Sequence, residues 1–272
     1  MKYRSILILA LLGMIACYRA FSQPLDENNP YRFYLNGGMY MPHLSTDVRF
    51  DHNESGIGLP LNMEDELAMP SQVNTFMLEG TIRMSSRWSL TGSWFTMNRN
   101  GENYITRRIE VADTAFQAGA NVTSRLKTTF TTAAFQFAIV NDRRIQAGLS
   151  LGARVLSADA YGKADYNGYV GEDHFKGTAP LPMPGLFVSA WPHRTVRVRY
   201  ELQYFEAGVG EISGRIMENR ATAVWYPLSY FGVGAGWSHT NYAIEGIPFD
   251  NGFTGKADHT LSGFSFFASA RF

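Results

Sequence analysis

The sequence lacks most of the features that mark soluble thiol enzymes, nucleic-acid-binding proteins and helical membrane proteins. Its 272 residues contain one cysteine, Cys17, which excludes a disulfide within the chain. Basic and acidic residues are equal at 24 each, so the formal net charge is zero and the basic excess typical of nucleic-acid binding is missing. No apolar run approaches the roughly 20 residues that a membrane-spanning helix needs.

The N-terminus has the layout of a secretory signal peptide. Lys2 and Arg4 precede an uncharged, mostly apolar run over residues 6–16, and the chain then becomes polar. Ala20 and Ser22 place small residues at the minus-three and minus-one positions of a cut before Gln23. As an alternative, residues 14–17 (MIAC) resemble a lipoprotein box in which Cys17 would be lipidated. Cleavage before Gln23 would leave a mature chain without a thiol for catalysis or zinc binding.

The C-terminal segment, residues 261–272, shows a strict alternation of apolar and polar side chains. Its apolar face consists of Phe264, Phe266, Ala268, Ala270 and Phe272, whereas Ser265, Ser269 and Arg271 lie on the other face. This period of two predicts a two-sided strand. A strand of this kind that ends on an aromatic residue resembles the closing strand of a bacterial outer-membrane β-barrel. An edge strand of a soluble all-β domain is the alternative.

The same alternation predicts an all-β chain of about ten strands, with eight as the lower count. The predicted strands cover residues 31–41, 73–83, 88–97, 125–140, 145–155, 181–191, 196–204, 212–226, 230–243 and 261–272. Short connections alternate with long ones, as in a transmembrane antiparallel up-and-down β-barrel with short periplasmic turns and long extracellular loops. We therefore expect a signal peptide (1–22), a short periplasmic segment (23–30) and an integral outer-membrane barrel (31–272).

Strand parity divides the remaining side chains between lumen and lipid. Charged residues opposite the apolar faces form a predicted lumen network: Arg32, Glu79, Arg83, Arg154, Arg197, Arg199, Glu201, Glu218, Arg220 and Arg271. Aromatic residues beside the short turns and the terminus form a predicted periplasmic girdle at the membrane interface: Trp88, Trp191, Trp225, Tyr230 and Phe272.

The lumen residues favour a structural or accessory barrel, because charges of both signs in a narrow interior pair with one another and fill it. A narrow porin-like channel for small anionic solutes is the first alternative. A hydrolase of lipid A or peptides at the rim, using His239 or His259, is the second. The pairs Ser238-His239 and Asp258-His259 fit it poorly, because adjacent strand residues point to opposite faces.

The sequence predicts neither a catalytic residue nor a metal or cofactor site. The acidic runs Glu64-Asp65-Glu66 and Glu172-Asp173 could ligate calcium or cation-bridged lipopolysaccharide, but solvated loop surface explains them as well. The expected partners are outer-membrane lipids, lipopolysaccharide and the barrel-assembly machinery, with another envelope protein as a further candidate. Nucleic acid is excluded as a partner on the charge balance.

Several motifs are similar to those of one family of Gram-negative outer-membrane barrels. The segments are residues 46–51 (TDVRFD), 56–58 (GIG), 63–67 (MEDEL), 113–116 (DTAF), 118–119 (AG) and 178–182 (TAPLP). Together they resemble an uncharacterised family grouped with the porin-like and OmpW-like proteins, and the resemblance covers most of the mature chain. It implies the barrel fold and the outer-membrane location, and no particular activity.

Processing before Gln23 is the first testable prediction. Intact-mass analysis of protein purified from outer membranes should give a chain that begins at Gln23 and carries no lipid. The Cys17→Ser variant should be processed and located in the same way, because the preferred cleavage removes this residue. A diacylglycerol-modified N-terminus at Cys17 would contradict the prediction.

Overall fold

The computed structural model describes residues 31–52, 60–104, 109–111, 114–116, 120–166, 169–209, 212–249 and 253–272. The predicted signal peptide, Cys17 and the segment 23–30 lie outside this range, as do the motif residues 56–58, 113 and 118–119. In the part of the chain that the structure describes, no helix has the length and apolar character to cross a membrane.

Thirteen strands and one short helix make up the described chain. In chain order the strands are β1 (Phe33–His52), β2 (Pro60–Asn62), β3 (Thr75–Arg83), β4 (Trp88–Tyr104), β5 (Ile109–Val111), β6 (Thr114–Phe116), β7 (Asn121–Asn141), β8 (Ile145–Tyr166), β9 (Tyr169–His193), β10 (Val196–Val209), β11 (Ile212–Trp225), β12 (Phe231–Phe249) and β13 (Phe253–Arg271). Helix α1 (Met63–Glu66) follows β2, and Asn62 caps it by accepting a hydrogen bond from the Asp65 N–H.

Ten of these strands close into an antiparallel barrel. Each strand of the series β1, β3, β4 and β7 to β13 pairs with its neighbour in sequence, and β13 returns to pair with β1. The closing register runs from Tyr34 opposite Arg271 to His52 opposite Phe253. Strand β2 pairs only with β1, and β5 and β6 form a separate hairpin. The predicted fold class and the count of ten barrel strands are confirmed.

The outer surface of the barrel carries a band of apolar side chains about as tall as the hydrocarbon layer of the membrane, which we call the apolar belt. On β13 the side chains of Phe264, Phe266 and Phe272 are 56–60% exposed, whereas Ser265, Ser269 and Arg271 are buried. Strand β1 repeats the pattern, with Phe33, Leu35 and Met39 outward and Tyr34 and Tyr40 buried. Nine residues of a strand tilted by about 40° rise about 23 Å, close to the apolar height of outer-membrane barrels.

The β8–β9 hairpin continues well above this belt. A loop was expected over residues 157–179, but the ladder extends from Ile145 opposite Ala190 to Tyr166 opposite Tyr169. The extension escaped sequence analysis because one face of β8 there carries charged residues such as Asp159 and Lys163 and the other only small ones such as Ala164, so that no face of large apolar side chains marks a strand. The expected loop is therefore a long β-hairpin, which we call the ribbon, and β7 pairs with its β8 strand as far as Asn121 opposite Asp165.

Three prolines end the pairing between β9 and β10. The last β9–β10 pair is Gly185 opposite Gln203, although both strands continue. Trp191 donates its N–H to the Arg144 carbonyl on the β8 side, at 2.8 Å. Along a strand, successive backbone N–H groups point to opposite neighbouring strands. The even-numbered Pro180, Pro182 and Pro184 therefore occupy positions whose N–H groups would otherwise point to β10. The β8 ladder, which uses the odd-numbered donors, is unaffected.

Two glycines of β12 make room for aromatic rings inside the barrel. A Cβ atom at Gly234 would lie 2.4 Å from the Phe267 ring, and one at Gly232 would lie 2.7 Å from the Tyr226 ring. Phe267, Tyr226 and Val224 form a buried apolar cluster near the periplasmic end. The glycines therefore permit aromatic packing against the inner wall.

Replacing Gly234 should destabilise the barrel. We expect Gly234→Leu to lower the free energy of unfolding by about 1–3 kcal/mol, because the new side chain overlaps the Phe267 ring. Urea-dependent unfolding in lipid vesicles would measure the change. Gly162→Ala is the matched control, since no atom lies within 4 Å of an added Cβ there. Equal stability of the two variants would contradict the packing argument.

Candidate functional site

The barrel interior holds a cluster of ion pairs that we call the charged layer. Its members are Glu79, Arg154, Arg199, Glu201, Glu218 and Arg220, and each takes part in an ion pair within the layer. Arg220 pairs with Glu79 across the barrel and also lies 3.3 Å from Glu218. These six residues come from β3, β8, β10 and β11, so the cluster links opposite parts of the wall.

Arg154 is fully surrounded by partners. Its guanidinium pairs with Glu218, donates from Nε to the Thr132 hydroxyl at 2.8 Å, and donates from Nη1 to the Tyr242 hydroxyl at 2.6 Å. Arg154 and Glu218 are 2% and 5% exposed. The guanidinium is thus hydrogen-bonded on two sides, whereas Glu218 Oε2 is held by the ion pair and has no hydrogen-bond partner among the described residues.

Gln136 is a member of the interior network that sequence analysis missed. Its Oε1 accepts a hydrogen bond from Arg199 Nη2 at 2.7 Å, and its Nε2 donates to Glu201 Oε1 at 2.9 Å. Arg199 also binds the Ser189 hydroxyl, at 2.9 Å, and pairs with Glu201 at 2.7 Å. The alternation of side chains along β7 places Gln136 on the lumen face. It was missed because the predicted network was drawn from charged residues only, and glutamine is neutral.

Arg197 differs from the arginines of the charged layer. It has no carboxylate within ion-pair distance among the described residues, and its buried Nε has no hydrogen-bond partner. Its guanidinium instead lies 4.6 Å from the Tyr34 ring centre and 5.8 Å from that of Trp191. Contacts with aromatic rings stabilise a cation only in part.

The other predicted lumen residues lie near the periplasmic end. Arg271 lies 3.8 Å from the Tyr226 ring centre and donates from Nε to the Ser229 carbonyl at 2.8 Å. Arg83 is buried and donates to the Tyr31 carbonyl, and Arg32 donates to the Met84 carbonyl. The structure thus separates these three arginines from the charged layer.

A second interior cluster, which we call the apolar layer, borders the charged layer. Its ten buried members are Tyr40, Leu44, Met77, Phe95, Met97, Phe130, Met183, Ile216, Tyr242 and Leu261. Phe95 and Phe130 stack with ring centres 4.7 Å apart, and Tyr40 meets Phe95 edge-on at 5.4 Å. The Tyr242 hydroxyl joins the two layers, because it accepts a hydrogen bond from Arg154, and the Tyr40 hydroxyl accepts one from Ser238 at 2.9 Å.

Two cavities adjoin the charged layer. One of about 70 Å³ is lined by Arg197, Arg199, Glu201, Gln203 and other polar residues. A second, of about 10 Å³, lies between the charged layer and apolar-layer residues such as Phe95 and Met77. The larger has room for a few water molecules and the smaller for about one.

Toward the extracellular end, the segment between β2 and β3 folds into the barrel mouth. Glu64 of α1 pairs with Arg99 of β4 at 2.5 Å and accepts a hydrogen bond from the Thr46 N–H at 2.8 Å. The Leu44 N–H donates to the Ser71 carbonyl, and the Val73 N–H donates to the Pro42 carbonyl. Glu64 is therefore part of a buried ion pair. Arg99 escaped the sequence analysis because it follows the predicted end of its strand at residue 97.

The two rim histidines lie on opposite sides of the wall. His259 faces inward, where its Nδ1 lies 2.9 Å from the Thr46 hydroxyl, and that oxygen accepts from Arg99 at 3.0 Å. His239 shares the outward parity of Trp237, and their stacked ring centres are 6.2 Å apart. Neither histidine bonds to its neighbour in sequence, since Ser238 bonds to Tyr40 instead.

Four of the five predicted girdle residues lie on the outer surface. Trp88, Trp225, Tyr230 and Phe272 are exposed, with Trp88 against Phe137 at 4.7 Å and Phe272 stacked on Phe33 at 5.6 Å. Trp191 differs, because it shares the inward parity of Phe187 and Ser189 and its ring approaches Arg197. The prediction assigned Trp191 to the girdle because it lies next to a turn. Whether its side chain points inward or outward is instead set by the alternation of side chains along β9.

The extracellular ribbon of β8 and β9 carries an exposed cluster of charges. His174 lies 2.6 Å from Asp159, and Lys176 lies 3.2 Å from the same carboxylate. The hydrogen bond from His174 is the main reason that the pKa of Asp159 is lowered from its ordinary value. These contacts connect the two strands of the ribbon far above the apolar belt.

A closed antiparallel barrel with an outward apolar belt and a polar interior defines an integral outer-membrane β-barrel protein. Its backbone is similar to that of the outer membrane protease OmpT from Escherichia coli, with a TM-score of 0.54 and 11% identity over 88% of this chain and 97% of that chain. At this identity the similarity shows the fold alone. The predicted outer-membrane location is confirmed.

Two further solved structures are more distant. OprG from Pseudomonas aeruginosa has a TM-score of 0.35 and 8% identity, with 89% of this chain and 96% of that chain covered. The P. putida toluene transporter TodX has a TM-score of 0.33 and 10% identity, with 93% of each chain covered. No protein-family model and no curated protein matches the sequence.

Breaking the Arg154–Glu218 pair should be costly, and replacing both members less so. Glu218→Leu leaves Arg154 buried without its carboxylate, and we expect a loss of about 3–5 kcal/mol in the free energy of unfolding. The double variant Arg154→Met, Glu218→Leu should lose less than the sum of the single variants. Urea unfolding in vesicles would give the coupling energy.

The control for this cycle is an ion pair on the outer part of the barrel. Lys256 and Glu245 lie 2.5 Å apart and are much more exposed. Glu245→Gln should change the stability by less than about 1 kcal/mol. Additive losses in the Arg154–Glu218 cycle would show that the two charges do not depend on each other.

Proposed function

We propose that the protein is a structural or accessory barrel of the outer membrane whose lumen is filled by its own side chains. The apolar layer is the observation that carries this proposal. Its residues come from strands around the barrel, and Phe130, which stacks on its cross-strand neighbour Phe95, also approaches Tyr242 of β12 across the interior. An ion entering this layer would lose its hydration without a charged partner, which is costly.

The charged layer adds to the proposed closure. Its carboxylates and guanidinium groups bind one another, so few of them are left to line a water-filled path. The folded-in segment around α1 adds a third obstruction near the extracellular mouth, where the Arg99–Glu64 pair holds it. A filled interior would suit a barrel that works through its outer surface and its extracellular ribbon.

Under this proposal the partners lie outside the lumen. Outer-membrane lipids and lipopolysaccharide would contact the apolar belt, and the barrel-assembly machinery would insert the chain. The exposed ribbon with Asp159, His174 and Lys176 would be the surface for another envelope protein.

The rim-hydrolase alternative has a direct test. His259→Ala and His239→Ala proteins would be compared with wild type for the lipid A mass spectrum and for cleavage of surface peptides. Under the structural proposal we expect no difference, because the two histidines face opposite sides of the wall and neither bonds to an adjacent carboxylate. A change in either product that depends on one histidine would support the hydrolase instead.

Conductance separates the proposed closed barrel from a narrow channel. Purified wild-type protein should give no stepwise current in planar bilayers, because the apolar layer interrupts the aqueous path. The variant Phe95→Ser, Phe130→Ser should conduct, since it removes the stacked rings at the centre of that layer.

The matched control for this experiment is Phe135→Ser, which alters a phenylalanine of the same strand on the lipid face. It should leave the current at zero while insertion is checked by protease protection. Stepwise current from the wild-type protein would contradict the proposal and favour the channel for small anions.

A further inference from the structure

The charged layer and its neighbour Arg197 are not balanced in charge. Four guanidinium groups, those of Arg154, Arg197, Arg199 and Arg220, face the three carboxylates of Glu79, Glu201 and Glu218. Each carboxylate lies in an ion pair with one of the other three arginines. The excess is one positive charge, and it resides on Arg197.

The surroundings of Arg197 do not neutralise this charge. The rings of Tyr34 and Trp191 approach its guanidinium from 4.6 and 5.8 Å, and the nearby Arg199 repels it more strongly than Glu201 attracts it. Its Nε is buried and has no acceptor. An uncompensated charge with an unsatisfied donor inside a protein is unstable, and the usual remedy is a counter-charge that accepts hydrogen bonds.

The larger cavity lies beside this group. It measures about 70 Å³, and Arg197 and Arg199 contribute to its lining together with polar groups such as Gln203 and Thr222. A halide ion, which is close to a water molecule in size, fits this volume. A divalent anion would overcompensate a single excess charge next to three carboxylates. The cavity, the charge excess and the free Nε thus favour the same ligand chemistry.

We propose that this cavity binds one small monovalent anion of the chloride class, with Arg197 as its principal ligand. The anion accepts hydrogen bonds from the Arg197 guanidinium and neutralises the excess charge of the interior. The ion has to reach the cavity from one end of the barrel only. Binding therefore does not require an open path through the apolar layer. The site is therefore compatible with a closed lumen and goes beyond the proposed structural role.

Trp191 offers a direct readout, because its ring lies 5.8 Å from Arg197. A protein that keeps Trp191 as its single tryptophan would carry phenylalanine at positions 88, 94, 225 and 237. Titration with iodide at constant ionic strength, maintained with gluconate, should quench its fluorescence with a saturable component. Chloride should reverse this component by competition. A strictly linear quenching curve would overturn the proposal.

The variant Arg197→Gln should weaken the apparent iodide affinity on the order of tenfold or more, because a charged hydrogen-bond donor is lost. Arg125→Gln is the matched control, since Arg125 also lies over a ring, that of Tyr161, but outside the barrel. Its saturable quenching should equal that of the parent protein. Saturation that persists in Arg197→Gln would overturn the assignment to Arg197.

Crystals of the unaltered protein grown in bromide test the site without a mutation. Anomalous scattering should show a bromide ion beside the Arg197 guanidinium in the larger cavity, and the absence of a peak there would contradict the proposal. This outcome is independent of conductance. Stepwise current would remove the closed-lumen proposal and leave the anion site, whereas an empty cavity would remove only the site.

Discussion

The pairing of β1 with β13 is the interaction on which the remaining structure depends. Hydrocarbon offers no hydrogen bonds, so every backbone N–H and C=O group within the membrane must find a partner in the protein. Closure of the sheet gives each of the ten strands two neighbours and removes both edges. Once the sheet is closed, alternate side chains must face either lipid or a narrow interior, and the composition of every strand follows from that division.

The interior faces a different constraint, because a ten-stranded barrel is narrow and its inward side chains must share the space. Arg154 and Glu218 form an ion pair there, and the hydroxyl groups of Thr132 and Tyr242 accept further hydrogen bonds from Arg154. The aromatic stack of Phe95 and Phe130 fills the adjacent volume without polar atoms. The narrow interior is thus filled in two ways, by paired charges in one part and by packed aromatic rings in the next.

Much of the fold could be predicted from the sequence, since a period of two is visible wherever lipid lies on one side and polar groups on the other. The C-terminal strand shows this most clearly, with Phe264 and Phe266 outward and Arg271 inward. The signal weakens above the membrane, where one face is polar and the other has only small residues, and the full length of the β8–β9 ribbon was missed for that reason. Strand ends were accordingly less predictable than strand faces.

The interior could be predicted only in part. Parity and charge selected Arg154, Glu218 and Arg220, but they could not state which groups pair, because pairing depends on positions across the barrel. Gln136 was passed over because it is neutral. Glu64 was read as part of an acidic loop because nothing local reveals that its segment folds inward to Arg99. Long-range contacts of this kind have no signature in one short window of sequence.

The proline run of β9 has a consequence for the behaviour of the molecule among its neighbours in a crowded membrane. Above Gly185 the edge of β9 that faces β10 has no ladder to that strand among the described residues. An edge of this length would ordinarily recruit a strand from another molecule and join barrels side by side. With Pro180, Pro182 and Pro184 at the donor positions, an incoming strand finds no N–H groups there. This edge of the hairpin can therefore stand in water without recruiting another barrel, while β7 pairs with the opposite edge.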